Sequence, residues 1–248
     1  MLKFNGINGW IDTKVLVTFR VAPEVLAPAI PAPLELLTVN GHALASVCFV
    51  RLVRPRIDGW EAVWGPPSLN SAQRIAVQWP RGGAPQPGVF IHRRETASLL
   101  NAVIGGRLLP GKHALRNLRL RHDGEQVLLT DGHPDALLAG HRTTDFPTDS
   151  VFATAREAAQ FAARCEDGYS PGNNPAVLEG LSMRIEVWAP EPLQLDTLAA
   201  ARLMDPAVVP TGAATLDHAL IIRNRYATWT ALPPMPLEPV YEPQPILP

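Results

Sequence analysis

Residues 88–114 have the sequence GVFIHRRETASLLNAVIGGRLLPGKHA. Apolar residues at 89–91 predict a strand, a charged run follows it, and the next apolar run predicts a short helix that ends at Gly105-Gly106. Lys112 comes soon after, directly behind a Pro-Gly turn. Because the chain has only three lysines among its 22 basic residues, this lysine is a candidate for amine chemistry.

The composition indicates a soluble globular protein. The 248 residues are 46% hydrophobic and 18% charged, which is enough apolar material for a sizeable core. Basic and acidic side chains nearly balance, 22 against 23. That balance offers no overall positive field, so we expect neither nucleic acid nor a membrane as a partner. No fixed-period repeat and no linker divides the chain, and we expect a single domain over residues 1–248.

The cysteines and the N-terminus favour a cytoplasmic protein. Cys48 and Cys165 are the only cysteines, and both lie in apolar surroundings, which predicts reduced, buried thiols in place of a disulfide or a zinc cluster. The first ten residues lack the apolar segment of a signal peptide. No run approaches the roughly 18 apolar residues of a membrane span.

Turn and alternation patterns predict antiparallel β-structure. Asn40-Gly41 separates two strand-like runs within residues 34–53 and is typical of a hairpin. Asp123-Gly124 separates two further alternating runs in the same way. Additional strands are predicted at residues 14–20, 74–79, 182–188 and 217–229.

Helices are few and short. A capping-box pattern at Thr154 and Glu157 precedes an amphipathic run and predicts the clearest helix of the chain. Trp60 and Trp64 fall in a broken segment, where they either wall a pocket or plug one end of a core. Seven prolines in residues 232–248 predict an extended or polyproline-like tail and exclude a central strand there.

The order of these motifs resembles acetoacetate decarboxylase. The resemblance rests on Phe19-Arg20-Val21 followed by PEVLAPAIPAPLEL, and on Glu95 followed by an apolar helix and GGRLLPGK. The chain is also similar to a broad, distantly related family of uncharacterised bacterial proteins. That similarity lies in residues 19–36, 87–90 and 218–229, which are spread over most of the length of the chain.

The resemblance implies a mainly β (α+β) fold, an antiparallel, cone-shaped β-barrel with a central cavity and a few short helices. It also implies Schiff-base chemistry, in which a neutral lysine amine attacks a ketone while a second lysine lowers its pKa. In that family the nucleophile directly follows the proline. Here Gly111 follows Pro110. Lys112 matches only the second lysine, so the family's decarboxylase activity is not expected.

The resemblance also supplies the candidate site residues. Lys112 and Glu95 are the candidate catalytic groups, Lys112 acting as nucleophile only if the register slips by one residue, with His113 or Arg107 as the perturbing cation. Arg20 is the candidate anchor for a carboxylate, and with Arg107 and His113 it forms the candidate ligand-binding set. The alternatives are ordinary: a solvated Lys112, an Arg20 facing solvent, and a Glu95 that caps a helix or pairs with a neighbouring arginine.

Metal and cofactor motifs are missing from the sequence. The seven histidines have no metal-ligand spacing, so no metal is expected. No nucleophile elbow, phosphate-binding loop or dinucleotide fingerprint occurs, so no cofactor is expected either.

Two functions remain open. The first is a barrel that binds a small organic acid or carbonyl compound without Schiff-base decarboxylation. The second is a decarboxylase, lyase or isomerase acting on a β-keto or enol acid through Lys112 or Glu95. A scaffold that binds partners through the proline-rich tail would be favoured if no cavity existed. The sequence leaves homo-oligomerisation open.

Overall fold

The computed structural model describes residues 6–57, 65–104 and 110–237, and long β-strands dominate them. Trp60, Trp64, Gly105-Gly106, Arg107 and the end of the proline-rich tail lie outside the described residues. The strands are β1 (Gly6–Val21), β2 (Glu35–Leu36), β3 (Thr38–Val39), β4 (His42–Ile57), β5 (Ser68–Arg81), β6 (Ala84–Thr96), β7 (His113–Leu115), β8 (Arg119–His122), β9 (Gln126–Thr130), β10 (Leu138–Arg142), β11 (Asp167–Pro171), β12 (Val177–Ile185), β13 (Glu191–Leu198) and β14 (Ala214–Pro236). The helices are α1 (Pro23–Leu26), α2 (Leu99–Ile104), α3 (Ala155–Arg164) and α4 (Ala200–Leu203), and a 3₁₀ turn covers Ala27–Ala29.

Seven of the described strands close into a barrel. They follow the order β1, β4, β5, β6, β11, β12, β14, and β14 pairs again with β1. The predicted mainly β barrel is confirmed. All of its neighbouring strands are antiparallel except β6 and β11, which pair in parallel. The long connection between these two strands, residues 97–166, is what permits that direction.

The hairpins form where the turn residues predict them. Asn40 and Gly41 both have positive φ, 48° and 81°, and join β3 to β4. Positive φ at both central residues is the geometry that Asn-Gly favours. The Asp123-Gly124 turn joins β8 to β9, with φ of 104° at the glycine.

A smaller layer of strands covers part of the barrel wall. Strands β13, β10, β9 and β8 continue from β14 in that order. Leu129 and Leu138 of this layer form one buried core with Val17 and Phe49 of the barrel. The opposite face of the wall, which carries Cys48, is therefore left for the barrel interior.

Helix α3 packs against that inner face. Its N-terminus has the predicted cap, since the backbone N–H of Glu157 donates to Thr154 Oγ1 at 3.2 Å. Ala158 of the helix is buried with Leu16 and Cys48 of the barrel wall. The helix thus fills one part of the interior and leaves the rest open.

The proline-rich tail differs in part from the prediction. Residues 231–236 are extended, but they continue β14 and pair with β12, with Met235 opposite Leu178. A proline lacks the N–H donor yet keeps its carbonyl, so it fits a strand that is paired on one side only. Pro233 shows this directly, because its carbonyl accepts a hydrogen bond from Tyr169 Oη at 3.2 Å.

Candidate functional site

The barrel encloses a cavity of about 450 Å³. Every strand of the barrel contributes to its wall, so the cavity is the barrel interior. Most of the wall is apolar, and the residues that could recognise a ligand are few. The ionisable or amide-bearing residues among them are Cys48, Asn70, Arg74, Arg94, Asn101, His113 and Glu166.

Arg94 is the most unusual of these side chains. Its Nε donates to Ser170 Oγ at 3.2 Å, while Nη2 is buried and has no hydrogen-bond partner among the described residues. Burial, and then the positive charge of Arg74, lowers the pKa of Arg94 to about 10. A guanidinium left without its hydrogen bonds is costly, so this position favours an anion that would complete them.

Arg74 lies on the neighbouring strand and is held in the same way. It pairs directly with Ser46 across β5 and β4, and its Nε donates to Ser46 Oγ at 3.3 Å. Within the described residues, neither Arg74 nor Arg94 has a carboxylate within ion-pair distance. The cavity therefore contains two arginines whose Nε atoms are fixed and whose charges are not paired.

The loop before β7 leaves room for Arg94. Gly111 has φ of 81°, and its N–H donates to Glu179 Oε2 at 2.6 Å. A Cβ at Gly111 would lie 2.7 Å from Arg94 Nε and 2.8 Å from Ser170 Oγ. The family resemblance puts the nucleophilic lysine at this position. Here the arginine occupies that space instead.

His113 begins β7 directly after this loop and is kept neutral. Its Nδ1 lies 3.0 Å from the carbonyl oxygen of Gly111, and this acceptor requires Nδ1 to carry the proton. Burial, and then the charge of Arg94, lowers the pKa of His113 to about 4. At neutral pH this predicted ligand-binding residue is therefore a polar, uncharged part of the cavity wall.

Lys14 was not among the predicted site residues, yet it is the buried amine of the barrel. Only 2% of its surface is exposed, and Nζ lies 4.5 Å from the centre of the Trp188 ring. Burial is the largest cause that lowers its pKa to about 8, with Arg74 lowering it further and Cys48 and Glu166 raising it. Its strand partner Val50 lines the cavity.

Glu166 supplies the carboxylate of the cavity wall. Burial raises its pKa, while the positive charges of Lys14 and Arg184 oppose that rise. Arg184 Nη1 lies 3.4 Å from Glu166 Oε2. This carboxylate is therefore shared with a cation outside the cavity wall and is not within ion-pair distance of Arg74 or Arg94.

Arg20 lies away from the cavity. Its guanidinium donates to the Asp149 carboxylate at 2.6 Å and to the Asp149 backbone carbonyl, and it lies 3.7 Å from Asp217. Asp217 is buried and also accepts hydrogen bonds from Ser150 and from the backbone of Val151. Arg20 thus has the protein's own carboxylates as partners and holds the segment before α3.

Glu95 also faces away from the cavity. Ser71 Oγ, Arg93 Nε and Arg116 Nη1 donate to its carboxylate at 3.0, 3.0 and 2.8 Å. Successive residues of a strand point to opposite faces, so the neighbour Arg94 points inward and Glu95 outward. The structure does not bring Arg20 and Glu95 together in one pocket.

Lys112 is exposed to solvent. Among the described members of the predicted set, the structure thus places His113 on the cavity wall. Within the described ranges, no group of three or more His, Cys, Asp or Glu residues is arranged to hold a metal ion. No helix in those ranges is long and apolar enough to cross a membrane.

Comparison with protein-family models and with curated proteins found no match. Solved structures gave clear matches. Acetoacetate decarboxylase from Legionella pneumophila is 13% identical, with a TM-score of 0.57, covering 94% of this chain and 87% of that one. An acetoacetate decarboxylase-like enzyme from Sphingomonas wittichii RW1 is 14% identical, with a TM-score of 0.57 and coverage of 92% and 93%.

A third similar structure is the enduracididine biosynthesis enzyme MppR complexed with pyruvate. It is 13% identical, with a TM-score of 0.57, covering 96% of this chain and 91% of that one. These likenesses show that the chain has the acetoacetate decarboxylase-like fold.

Proposed function

We propose that this chain binds a small organic acid, or a carbonyl compound that carries an acid group, inside the barrel, with Arg94 as the anchor for the carboxylate. The unpartnered Nη2 of Arg94 is the observation that carries the proposal. Arginine and carboxylate match in geometry, and their hydrogen bonds strengthen where water is excluded.

The rest of the cavity suits such a ligand. Its volume of about 450 Å³ exceeds the needs of a short-chain acid, and its apolar strands can pack against an aliphatic part. One structure of the same fold, MppR, is complexed with pyruvate, which supports a small acid as ligand class.

The proposal is tested by calorimetry with pyruvate, acetoacetate and 2-oxoglutarate. Arg94→Met should weaken the binding of acids at least about tenfold, since hydrogen bonds to charged groups contribute roughly 1.5–3 kcal/mol. Arg20→Met is the matched control, because it removes an arginine outside the cavity, and it should leave affinity unchanged. Binding that survives Arg94→Met but is lost in Arg20→Met would contradict the proposal.

Decarboxylation through the loop before β7 is not part of this function. Gly111 carries no side chain, and Lys112 is exposed to solvent, where nothing excludes water from its amine.

Lys14 favours a second candidate, an enzyme acting on a keto acid. The deprotonated fraction of its amine would attack the carbonyl carbon. The carbonyl oxygen would take up two protons, one from the amine nitrogen and one from an acid, and leave as water, giving a protonated imine. Glu166, whose pKa is raised by burial, is the nearby acid that could deliver the second proton. In this candidate the reactive group is Lys14 in place of Lys112 or Glu95.

Borohydride reduction followed by intact mass separates the two candidates. A keto acid that forms an imine leaves a stable adduct after reduction. If the second candidate holds, the adduct appears with acetoacetate or 2-oxoglutarate, persists in Lys112→Ala and disappears in Lys14→Met. If acids bind and no adduct forms, the first candidate, acid binding without imine formation, is supported. An adduct lost only in Lys112→Ala would overturn both assignments.

A further inference from the structure

The cavity contains one more arginine than a single carboxylate needs. Arg74 and Arg94 both line it, and both use Nε to bind a serine of an adjacent strand. Each guanidinium is thereby oriented by the barrel wall, while its terminal nitrogens have no carboxylate partner in the part of the chain that the structure describes. Because both side chains are fixed in the same way, we expect each arginine to bind an anionic group of the ligand.

The strand register separates the two arginines. Arg94 lies opposite Ala72, and Arg74 lies two residues further along the same strand, beyond a bulge. Diagonal neighbours on paired antiparallel strands are about 7–8 Å apart at Cα. The charge of Arg74 lowers the pKa of Arg94, so the two guanidinium groups repel each other inside the cavity.

The carboxylates near the cavity relieve this repulsion only in part, because the charge of Glu179 raises the pKa of Arg94 while burial and Arg74 still lower it overall. Glu166 is close to Arg184, and Glu179 accepts the hydrogen bond from the Gly111 backbone. His113 carries no charge at neutral pH, and Lys14, whose pKa Arg74 lowers, is not a counter-ion either. Two fixed positive charges therefore remain for a ligand to neutralise.

We propose that the ligand carries two anionic groups, with one carboxylate at Arg94 and the second at Arg74. This inference rests on the proposed function and names its substrate class, a short dicarboxylic acid or a keto acid with a second carboxylate. The chain between the two carboxylates would lie along the apolar wall formed by residues such as Val89 and Ile91.

Calorimetry with matched probes tests the inference. Succinate, glutarate and adipate are each compared with their monoamide, which has nearly the same size and one charge fewer, in a buffer free of phosphate and sulfate. At least one diacid should bind about tenfold or more tightly than its monoamide, as expected for one additional charge-assisted pair. Arg74→Met should abolish that preference and leave the affinity of the monoamide nearly unchanged.

Arg74→Lys gives a second readout and guards against a folding defect. Lysine retains the positive charge but lacks the paired N–H donors of the guanidinium, so this variant should keep part of the preference for the diacid. Equal affinity of diacid and monoamide in the wild type would overturn the inference and leave the proposed function intact. An equal loss for both probes in Arg74→Met would also overturn it, because a single carboxylate would then be shared by both arginines. Absence of binding by all probes would overturn both proposals.

Discussion

A lysine amine held away from water determines much of the electrostatics inside this barrel. Lys14 lies in the middle of β1, with its amine against the Trp188 ring. Neither Cys48 nor Glu166 balances the loss of hydration, so the pKa of Lys14 falls from 10.5 to about 8. The folded protein thus holds a proton there less tightly than the unfolded chain does.

This residue makes stability depend on pH in a defined window. The unfolded chain binds the proton of Lys14 more tightly, so the free energy of unfolding should rise as pH increases from about 8 to 10.5. The shift corresponds to roughly 3 kcal/mol at most. Lys14→Met should therefore be more stable than the wild type at pH 7, and this advantage should shrink above pH 8.

Urea unfolding of both proteins between pH 7 and 10.5 checks this expectation. Taking the difference between them cancels the titration of the other groups. Lys112→Met is the control, because it replaces a lysine that is exposed to solvent instead of the buried one. A stability difference for Lys14→Met that does not change with pH would mean that the amine is hydrated in the folded state.

Single residues also show where sequence reasoning reached its limit. The resemblance pointed to Glu95, and the side chain in the cavity belongs to its neighbour Arg94. On a strand, a shift of one residue exchanges the inner face for the outer one. Lys14 could have been found from the strand predicted at residues 14–20, because alternation puts it on the same side as Leu16, which is buried. Arg20 could not be excluded in this way, since its partner Asp149 is 129 residues away.

At the scale of elements, the loop before β7 sets the position of Arg94. Gly111→Ala would force a side chain into positive φ and place Cβ against the arginine. We expect a loss of about 1–3 kcal/mol in the free energy of unfolding together with weaker acid binding. Thermal unfolding and calorimetry measure the two effects.

The chain offers a matched control for this substitution. Gly41 has the same φ of 81°, and a Cβ there would have no atom within 4 Å. Gly41→Ala should therefore lose stability through its backbone alone and keep its affinity for acids. If Gly111→Ala bound acids as tightly as Gly41→Ala does, the loop would have no role in positioning Arg94.

Elements with local signals were predictable. The hairpins at Asn40-Gly41 and Asp123-Gly124 and the cap at Thr154 depend on neighbours a few residues away, and all three form as expected. The parallel pairing of β6 with β11 depends on a contact between distant segments. Alternation along one strand contains no information about the direction of its partner.

At the scale of the whole molecule, closure of the barrel creates the site. Arg74 and Arg94 approach each other, and Ser46 and Ser170 hold them, only because β4, β5, β6 and β11 are consecutive in the ring. The family resemblance predicted a β-barrel with a central cavity. The resemblance did not predict that Arg74 and Arg94 line this cavity, since the chain departs from the family pattern at the position of the nucleophile.

The most direct measurement is a crystal structure of the protein with 2-oxoglutarate bound. The structure should show a carboxylate of the ligand inside the barrel, accepting a hydrogen bond from Arg94 Nη2 at about 2.7–2.9 Å. A ligand found beside Arg20 or elsewhere on the outer surface, with the barrel interior occupied by water alone, would contradict the account.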